Sequence, residues 1–296
     1  MASILITGGT GLVGSNLCNL LKSKGHNVLI LSRSKTKKTN VFHWDIEKKH
    51  IDNEAIINAD YIIHLAGAGI ADKRWTKSRK KQLIASRVDS TNLLFEKVKE
   101  LNPNLKGFIS ASGIGFYGAI TSKKIFQEND APNNDFLSKI CILWEKEVYK
   151  FNSLNIRTVV LRTGVVFSKE GGALEKIIKP IKLGAGASLG SGKQYMPWIA
   201  MEDLCNMYVS AIENIEIKGI YNAVAPEHIT NEELTKSIAK TLKKPLWLPN
   251  IPSFFLKIIL GELAVILLEG SRVSSEKIKK TGFNFLFPTI EKYFSK

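Results

Sequence analysis

Acidic residues are scarce in this 296-residue chain: 27 Asp and Glu stand against 42 Lys and Arg, for a formal net charge of +15. Cysteine is scarcer still, with Cys18, Cys141 and Cys205 far apart and odd in number. Without a CxxC pair they exclude a disulfide framework and a thiolate zinc site, and a cytoplasmic protein is the expectation. Long hydrophobic runs are missing. The greasiest stretch, Phe254–Leu268, is interrupted by Lys257 and Glu262 and is too short to span a bilayer. No basic n-region or cleavage site precedes SILIT, so no secretory leader is expected, and no internal repeat or low-complexity tract is present. Arginine is rare as well, since 35 of the 42 basic residues are lysine. A strongly basic chain invites a nucleic-acid reading. The densest cluster, DKRWTKSRKKQ from Asp72 to Gln82, has no helix-turn-helix, zinc-finger or RNP signature beside it. The lysines therefore read as a dispersed, solvated surface, with neither nucleic acid nor membrane expected as a partner.

What is present is alternation. Short apolar runs at 4–7, 28–31, 41–44, 61–66, 107–112 and 158–161 alternate with helix-like segments at 12–24, 79–99 and 137–151. This is the βαβ pattern of a parallel, doubly wound sheet. From about Gly171 the pattern changes to a Gly-rich, loop-like stretch, GGALEKIIKPIKLGAGASLGSGKQ. Helices are then expected near 202–215, 231–242 and 254–268. The reading is an α/β protein with a Rossmann-like domain over 1–170, to which later segments can return. A smaller substrate lobe occupies 171–296, its last part running from about 245.

The first strand runs into ITGGTGLVGSNL. Gly8, Gly11 and Gly14 form a GxxGxxG between a strand and a helix. Gly8 permits the tight turn, Gly11 lets backbone approach a pyrophosphate at the helix N-terminus, and Gly14 allows close helix packing. Thr10, Leu12 and Val13 belong to the same turn. In this βαβ context the motif points to a dinucleotide. NAD binders usually end the second strand in Asp or Glu, which reads the ribose 2′-hydroxyl. Here it ends in Ser32 and Arg33. A guanidinium pairs with a 2′-phosphate that a carboxylate would repel, and Lys35, Lys37 and Lys38 add positive potential. NADP(H) is expected over NAD(H), the alternative being that Arg33 is one more solvated cation. The fourth strand ends in HLAGAG, whose small residues leave room for ribose or adenine at the switch point. Leu65, Ala66 and Gly67 are the expected contacts, and His64 reads as a core histidine.

These strings, with SASGIGFYG, LRTGVVF and YNAVAPEHITNEEL, resemble the extended short-chain dehydrogenase/reductase superfamily. IADKRW, SRVDSTNLL, GKQYMPWIAMEDL and the tail LLEGSRVSSEKIKKTGFNF are similar to one atypical branch. That branch is labelled "epimerase family" or NAD-dependent epimerase/dehydratase and carries its own C-terminal domain of unknown function. The resemblance covers nearly the whole chain. It implies a Rossmann-like nucleotide domain with substrate held between it and the C-terminal lobe. It also implies hydride transfer on a small polar substrate, sugar- or nucleotide-linked compounds among the candidates, or else an NADP(H)-binding sensor or scaffold that turns nothing over.

Carried over residue by residue, the resemblance adds Gln82 and Arg87, on the helix after HLAGAG, as cofactor contacts. Arg87 stands near where extended members usually have Asn. Val166, just past the sixth strand, falls where the nicotinamide end is expected. The bland alternatives are surface polar residues for the first two and a core residue for the third. Lys193, Gln194 and Trp198 are the substrate-facing candidates, against a hinge loop with a core Trp. GASLGSGKQ is not a P-loop, because Gln194 replaces the required Ser or Thr.

Most superfamily members use a Tyr followed four residues later by Lys, whose ammonium lowers the phenol pKa toward neutrality. Anchoring on Trp144–Glu145 puts the Tyr position at Leu137 and the Lys position at Cys141. No tyrosine in the chain has Lys four residues on. The expectation is a substituted acid, with Ser112 and Tyr117 as candidates. Against these stand a strand-end hydroxyl bonded to backbone and an aromatic lining the cleft.

Overall fold

The computed structural model describes residues 1–34 and 38–295. Its main sheet is built from β1 (Ser3–Thr7), β2 (Asn27–Ser32), β3 (Val41–Asp45), β4 (His50–Ile51), β5 (Tyr61–His64), β6 (Gly107–Gly113), β8 (Arg157–Thr163) and β12 (Gly219–Ala223). Short pieces complete the count: β7 (Ile125–Phe126), β9 (Val165–Ser168), β10 (Gly171–Gly172), β11 (Trp198–Ala200) and β13 (Arg272–Val273). The eight strands lie in the order β12-β8-β6-β5-β1-β2-β3-β4. Every pairing is parallel except β3 with β4. The order reverses direction between β1 and β5, which makes the switch point where open α/β sheets take ligands.

Helices cover both faces, as an all-buried parallel sheet requires. α1 (Leu12–Ser23) puts Leu17, Cys18 and Leu21 under one face. The other face is covered by α2 (Asn53–Ile57), α3 (Lys77–Leu101) and α4 (Phe136–Tyr149), through Ala55, Leu94, Val98, Trp144 and Val148. Thr76 caps α3 by accepting from the Arg79 amide, and Asp135 caps α4 from Ser138. Further along the chain come α5 (Ala173–Lys182), α6 (Met201–Glu213), α7 (Asn231–Thr241) and α8 (Ser253–Leu260).

All six apolar runs form strands of the sheet. The boundary expected at 170 does not divide the structure. α6 packs beside α1 in the first core, and β12 joins the sheet edge against β8. The later segments thus return to the first unit. A third core gathers Phe167, Leu174, Trp198, Leu234, Ile238 and Tyr293. The helix expected over 254–268 is also broken. α8 ends at Gly261, whose φ of +62° no β-carbon favours, and two short turns follow. Among the described residues no helix is long and apolar enough to cross a membrane.

Candidate functional site

The glycine turn and the HLAGAG loop meet at the carboxyl edge of β1 and β5. Gly8 has φ +71°, and a β-carbon there would lie 3.1 Å from the backbone of Leu65 and Ala66. Gly14 faces the same turn from inside α1, and its β-carbon would sit 2.1 Å from the Gly8 carbonyl oxygen. Gly11 donates its N–H to that carbonyl at 3.0 Å, closing the turn. No side chain caps α1, so its first amides point at the crevice with their partial positive charge. Thr10 and Gly11 are exposed, while Leu12 and Val13 are half-buried. A backbone cradle that side chains would fill, in front of an uncapped helix, fits a dinucleotide diphosphate.

One polar chain holds the two loops together. The Thr7 hydroxyl accepts the amides of Leu65 and Ala66 and sits 2.7 Å from His64 Nδ1. Its proton therefore goes to Nδ1. That leaves His64 Nε2–H facing Ser90 Oγ at 3.2 Å, and Ser90 donates onward to the Ser86 carbonyl. Burial, then the nearby Arg87 charge, pushes the His64 pKa down to about 3. His64 is thus a neutral core histidine, as read from the sequence.

α3 grips the HLAGAG loop from the side. Ser86 Oγ accepts the Ala68 amide, and Arg79 donates to the Gly69 carbonyl and to Gln82 Oε1. Gln82 is exposed with that oxygen occupied. Arg87 lies against Gly67, where a β-carbon would come within 3.0 Å of the guanidinium carbon, and over the Trp144 ring at 5.1 Å. It donates to the Leu83 carbonyl, and burial disfavours its charge. Beside β1, β2 ends in Ser32, half-buried, and Arg33 follows it, exposed. Lys35 and Lys37 lie outside the described residues. Val166 is half-buried on β9, against the same core as Leu12, Val13 and Leu65. The carboxyl edges of β2, β1 and β5 thus bring Gly8–Gly14, Ser32, Arg33 and Leu65–Gly67 together.

The two candidate acids are elsewhere, in a closed network. Ser112 donates to Glu145 Oε1 at 2.7 Å. Glu145 takes a bidentate pair from Arg162 at 2.9 and 2.8 Å. Arg162 also donates to the Tyr117 hydroxyl and lies over the Phe116 ring. Tyr117 donates to Asn222 Oδ1 at 2.7 Å, and Asn222 bonds on to Glu128 and Ser274. Tyr117 is 1% exposed. Burial pushes its pKa up to about 12, outweighing the Arg162 charge, the bond it accepts from Arg162 and the one it donates to Asn222. Burial also opposes the Arg162 charge, but the Glu145 bonds more than offset it and raise its pKa. Both residues tie β6, α4, β8 and β12 to the tail, and each hydroxyl donates its proton inside this network, to Glu145 and to Asn222.

The dyad positions lie on α4, against the end of β6. Cys141 Sγ reaches the Gly113 carbonyl at 3.4 Å, and Leu137 lies against Gly115. Burial, then Glu145, pushes the Cys141 thiol up to about 11.

Two of the substrate candidates are corrected. Trp198 is fully buried, stacked on Phe167 at 5.3 Å, and has no face for a substrate. Gln194 is buried with its amide nitrogen donating to the Leu189 and Leu267 carbonyls, so it pins the Gly-rich loop to the tail. Lys193 is exposed on that loop. A cleft of about 810 Å³ lies between the start of α4 and α8 with the turns after it. Trp75, Phe136, Leu137, Val265 and Leu268 are its apolar wall. Of these, sequence reasoning singled out only Leu137. Trp75 was hidden in a basic cluster, and a tail segment signals nothing about which strand end it covers.

Residues 4–223 match the model of the NAD dependent epimerase/dehydratase family, and residues 251–296 match a domain of unknown function. The chain is 36% identical over 293 residues to the epimerase family protein YfhF of Bacillus subtilis, covering 98% of this chain and 95% of that one. The crystal structure of human epimerase family protein SDR39U1 with NADPH is similar at TM-score 0.89 and 29% identity, covering 99% of this chain and 97% of that one. UDP-glucose 4-epimerase of Thermotoga maritima, at TM-score 0.77 and 19% identity over 99% and 96% of the two chains, shares the fold. Strand order, glycine cradle and whole-length similarity agree, and the chain belongs to the NAD dependent epimerase/dehydratase family.

Proposed function

We propose that the chain binds NADP(H) across the carboxyl edge of its sheet and acts as an oxidoreductase or epimerase-like enzyme on a small molecule, not on nucleic acid. One observation carries the cofactor choice: β2 ends in Ser32 and the exposed Arg33 follows it, beside a glycine cradle, with no carboxylate to read a 2′-hydroxyl. Gly8–Gly14 and the first amides of α1 would hold the diphosphate, Leu65–Gly67 the ribose, and Arg33 the 2′-phosphate. The relative crystallised with NADPH supports this reading. When bound, the cofactor supplies a hydride donor or acceptor.

The chain's own contribution at the reacting end is unusual. Leu137 and Cys141 offer an apolar wall and a buried thiol in place of a phenol and an ammonium. Neither exchanges protons near neutral pH. A substrate oxygen must then trade its proton with water or within the substrate itself, and turnover is slow on sugar nucleotides. The same observation favours a second reading, a sensor or scaffold that binds NADP(H) without turnover. Calorimetric titration of NADPH and NADH tests the first claim, with NADPH expected tighter; equal affinities overturn it. NADPH consumption across a panel of carbonyl compounds separates enzyme from sensor.

A further inference from the structure

The chain has seven arginines, and their donors are not spent alike. Arg74, Arg79, Arg87 and Arg157 donate to backbone carbonyls, and Arg162 is held by Glu145. Arg33 is exposed beside the glycine cradle. Arg272 is the seventh. It is half-buried, and its Nε is buried without a hydrogen-bond partner. Among the described residues its guanidinium has neither an acceptor nor an ion pair. A buried donor left unpaired costs free energy. An arginine fork matches the oxygens of a carboxylate or a phosphate.

The fold holds this side chain at the ligand-binding edge of the sheet. β8 and β12 end at Thr163 and Ala223, and the segment from Tyr195 to Trp198 crosses their carboxyl edge. Val165 donates its N–H to the Pro197 carbonyl, and Ala225 to that of Trp198. Tyr195 donates its own N–H to the Gly270 carbonyl. A β-carbon on Gly270 would lie 1.9 Å from the Tyr195 carbonyl oxygen, so the tail approaches this closely only at a glycine. Two residues on, Arg272 opens β13 and lies over the Tyr195 ring, its guanidinium carbon 5.2 Å from the centre. Contact with the ring face holds the cation without using its N–H donors. Val273, the next residue, packs into a core with Tyr117, Phe126 and Val224. His228 is also close. Burial, then the Arg272 charge, holds its pKa below the ordinary value, so the guanidinium is the cation of this cluster. The carboxylates nearest in the chain are engaged elsewhere: Glu227 accepts the Ile290 amide, and Glu269 accepts from Thr121. Trp198 pairs with Val165 on β9, and Tyr195 lies three residues before it. About 10 Å of extended chain thus separates Tyr195 from the end where the nicotinamide is expected.

We infer that Arg272 receives an oxyanion of the substrate, a carboxylate or a phosphate monoester, between the tail and the segment from Tyr195 to Trp198. This rests on the reading above that the chain acts on a small molecule, and it narrows the class of that molecule. The test is calorimetric and uses the full chain saturated with NADP⁺, so that a ketone finds no hydride. Three methyl ketones are the probes: levulinate carries a carboxylate, acetonyl phosphate a phosphate, and 2-pentanone neither. At least one of the two anions should bind about tenfold tighter than 2-pentanone, as hydrogen bonds to a charged group allow, and the tighter of them names the group. Arg272→Met should remove that preference while 2-pentanone and NADP⁺ bind as before. Arg272→Lys keeps the charge and loses the fork, and should retain part of it. Arg272 makes no side-chain hydrogen bond among the described residues, so Arg272→Met should unfold at the parent's urea midpoint, and a lost preference is then not lost folding. Anions that bind no better than 2-pentanone overturn the inference. So does an anion preference that survives in Arg272→Met, which would put the oxyanion at another cation such as Lys257. If NADP⁺ itself does not bind, the cofactor reading falls, and the same three ketones on the free chain still decide this one.

Discussion

At the carboxyl edge of β1, β2 and β5 polar groups are left open: bare amides at the start of α1 and the exposed Arg33. At the carboxyl edge of β6 and β8, on the same sheet, polar groups are closed upon one another. Ser112, Glu145, Arg162, Tyr117 and Asn222 use their donors and acceptors internally, all 6% exposed or less. Buried polar groups without partners cost free energy, so a closed cluster is held for the fold, whereas an open one is left for a ligand. The contrast explains why polar residues at strand ends are not equivalent as candidates for chemistry.

The largest expected effect is on the closed side. Arg162→Met leaves the Glu145 carboxylate buried and unpaired, and should cost about 3–5 kcal/mol of stability in urea denaturation. The double variant E145Q/R162M should recover part of that loss, since no charge is then stranded. NADPH affinity, measured on the folded fraction, should change little. A loss below about 1 kcal/mol in the single variant would break the comparison.

On the open side, Gly14→Ala should act through the turn. Its β-carbon would meet the Gly8 carbonyl at 2.1 Å, backbone that cannot yield without opening the cradle. We expect a loss of about 1–3 kcal/mol in stability from overpacking and NADPH binding too weak to titrate. Binding that survives would place the diphosphate elsewhere.

The open side was legible in the sequence and the closed side was not. Gly8, Gly11 and Gly14 follow from chain geometry alone: a strand, a turn and a helix must follow in that order, and small residues mark where backbone meets backbone. Ser32–Arg33 was legible because β2 ends at a fixed distance from that turn. Ser112 and Tyr117 carry the right functional groups for acids, and nothing local distinguishes them. Their partners come from Glu145, Arg162 and Asn222, on three other elements. Trp198 and Gln194 failed for the same reason, since burial against Phe167 and Leu267 is a long-range fact. Likewise β12 was obscured because its strand follows the lobe it leaves.

His64 is a sharper probe, because a small closed chain supports the open site. Its pKa lies at about 3 in the fold against 6.5 ordinarily. Between those values the unfolded chain takes a proton that the folded chain refuses. The stability contributed by neutral His64 is complete above pH 6.5. It is lost as pH falls toward 3, by up to about 1.4 kcal/mol per pH unit. Urea midpoints at pH 7.5, 6.0 and 5.0 should therefore fall more steeply for the parent than for His64→Gln. Parallel lines would show that His64 titrates freely and that the Thr7–His64–Ser90 chain does not hold the loops.

The smallest effect on the fold is expected where the site is most open. Arg33 is exposed at the end of β2, so its removal takes nothing from the core. Arg33→Ala should leave the urea midpoint within about 0.5 kcal/mol of the parent, the range of ordinary surface substitutions. It should nonetheless lower the preference for NADPH over NADH by about 1–3 kcal/mol, the worth of hydrogen bonds to a charged group. The loss should fall on NADPH alone, because NADH carries no 2′-phosphate for the guanidinium to meet. It should also shrink with added salt, since the pair is solvent-facing and screened. An equal loss for both cofactors would move Arg33 to the diphosphate and reassign the 2′-phosphate. A loss of stability instead would place Arg33 among the closed groups, and the distinction between the two edges of the sheet would fail at the residue where it is most easily measured.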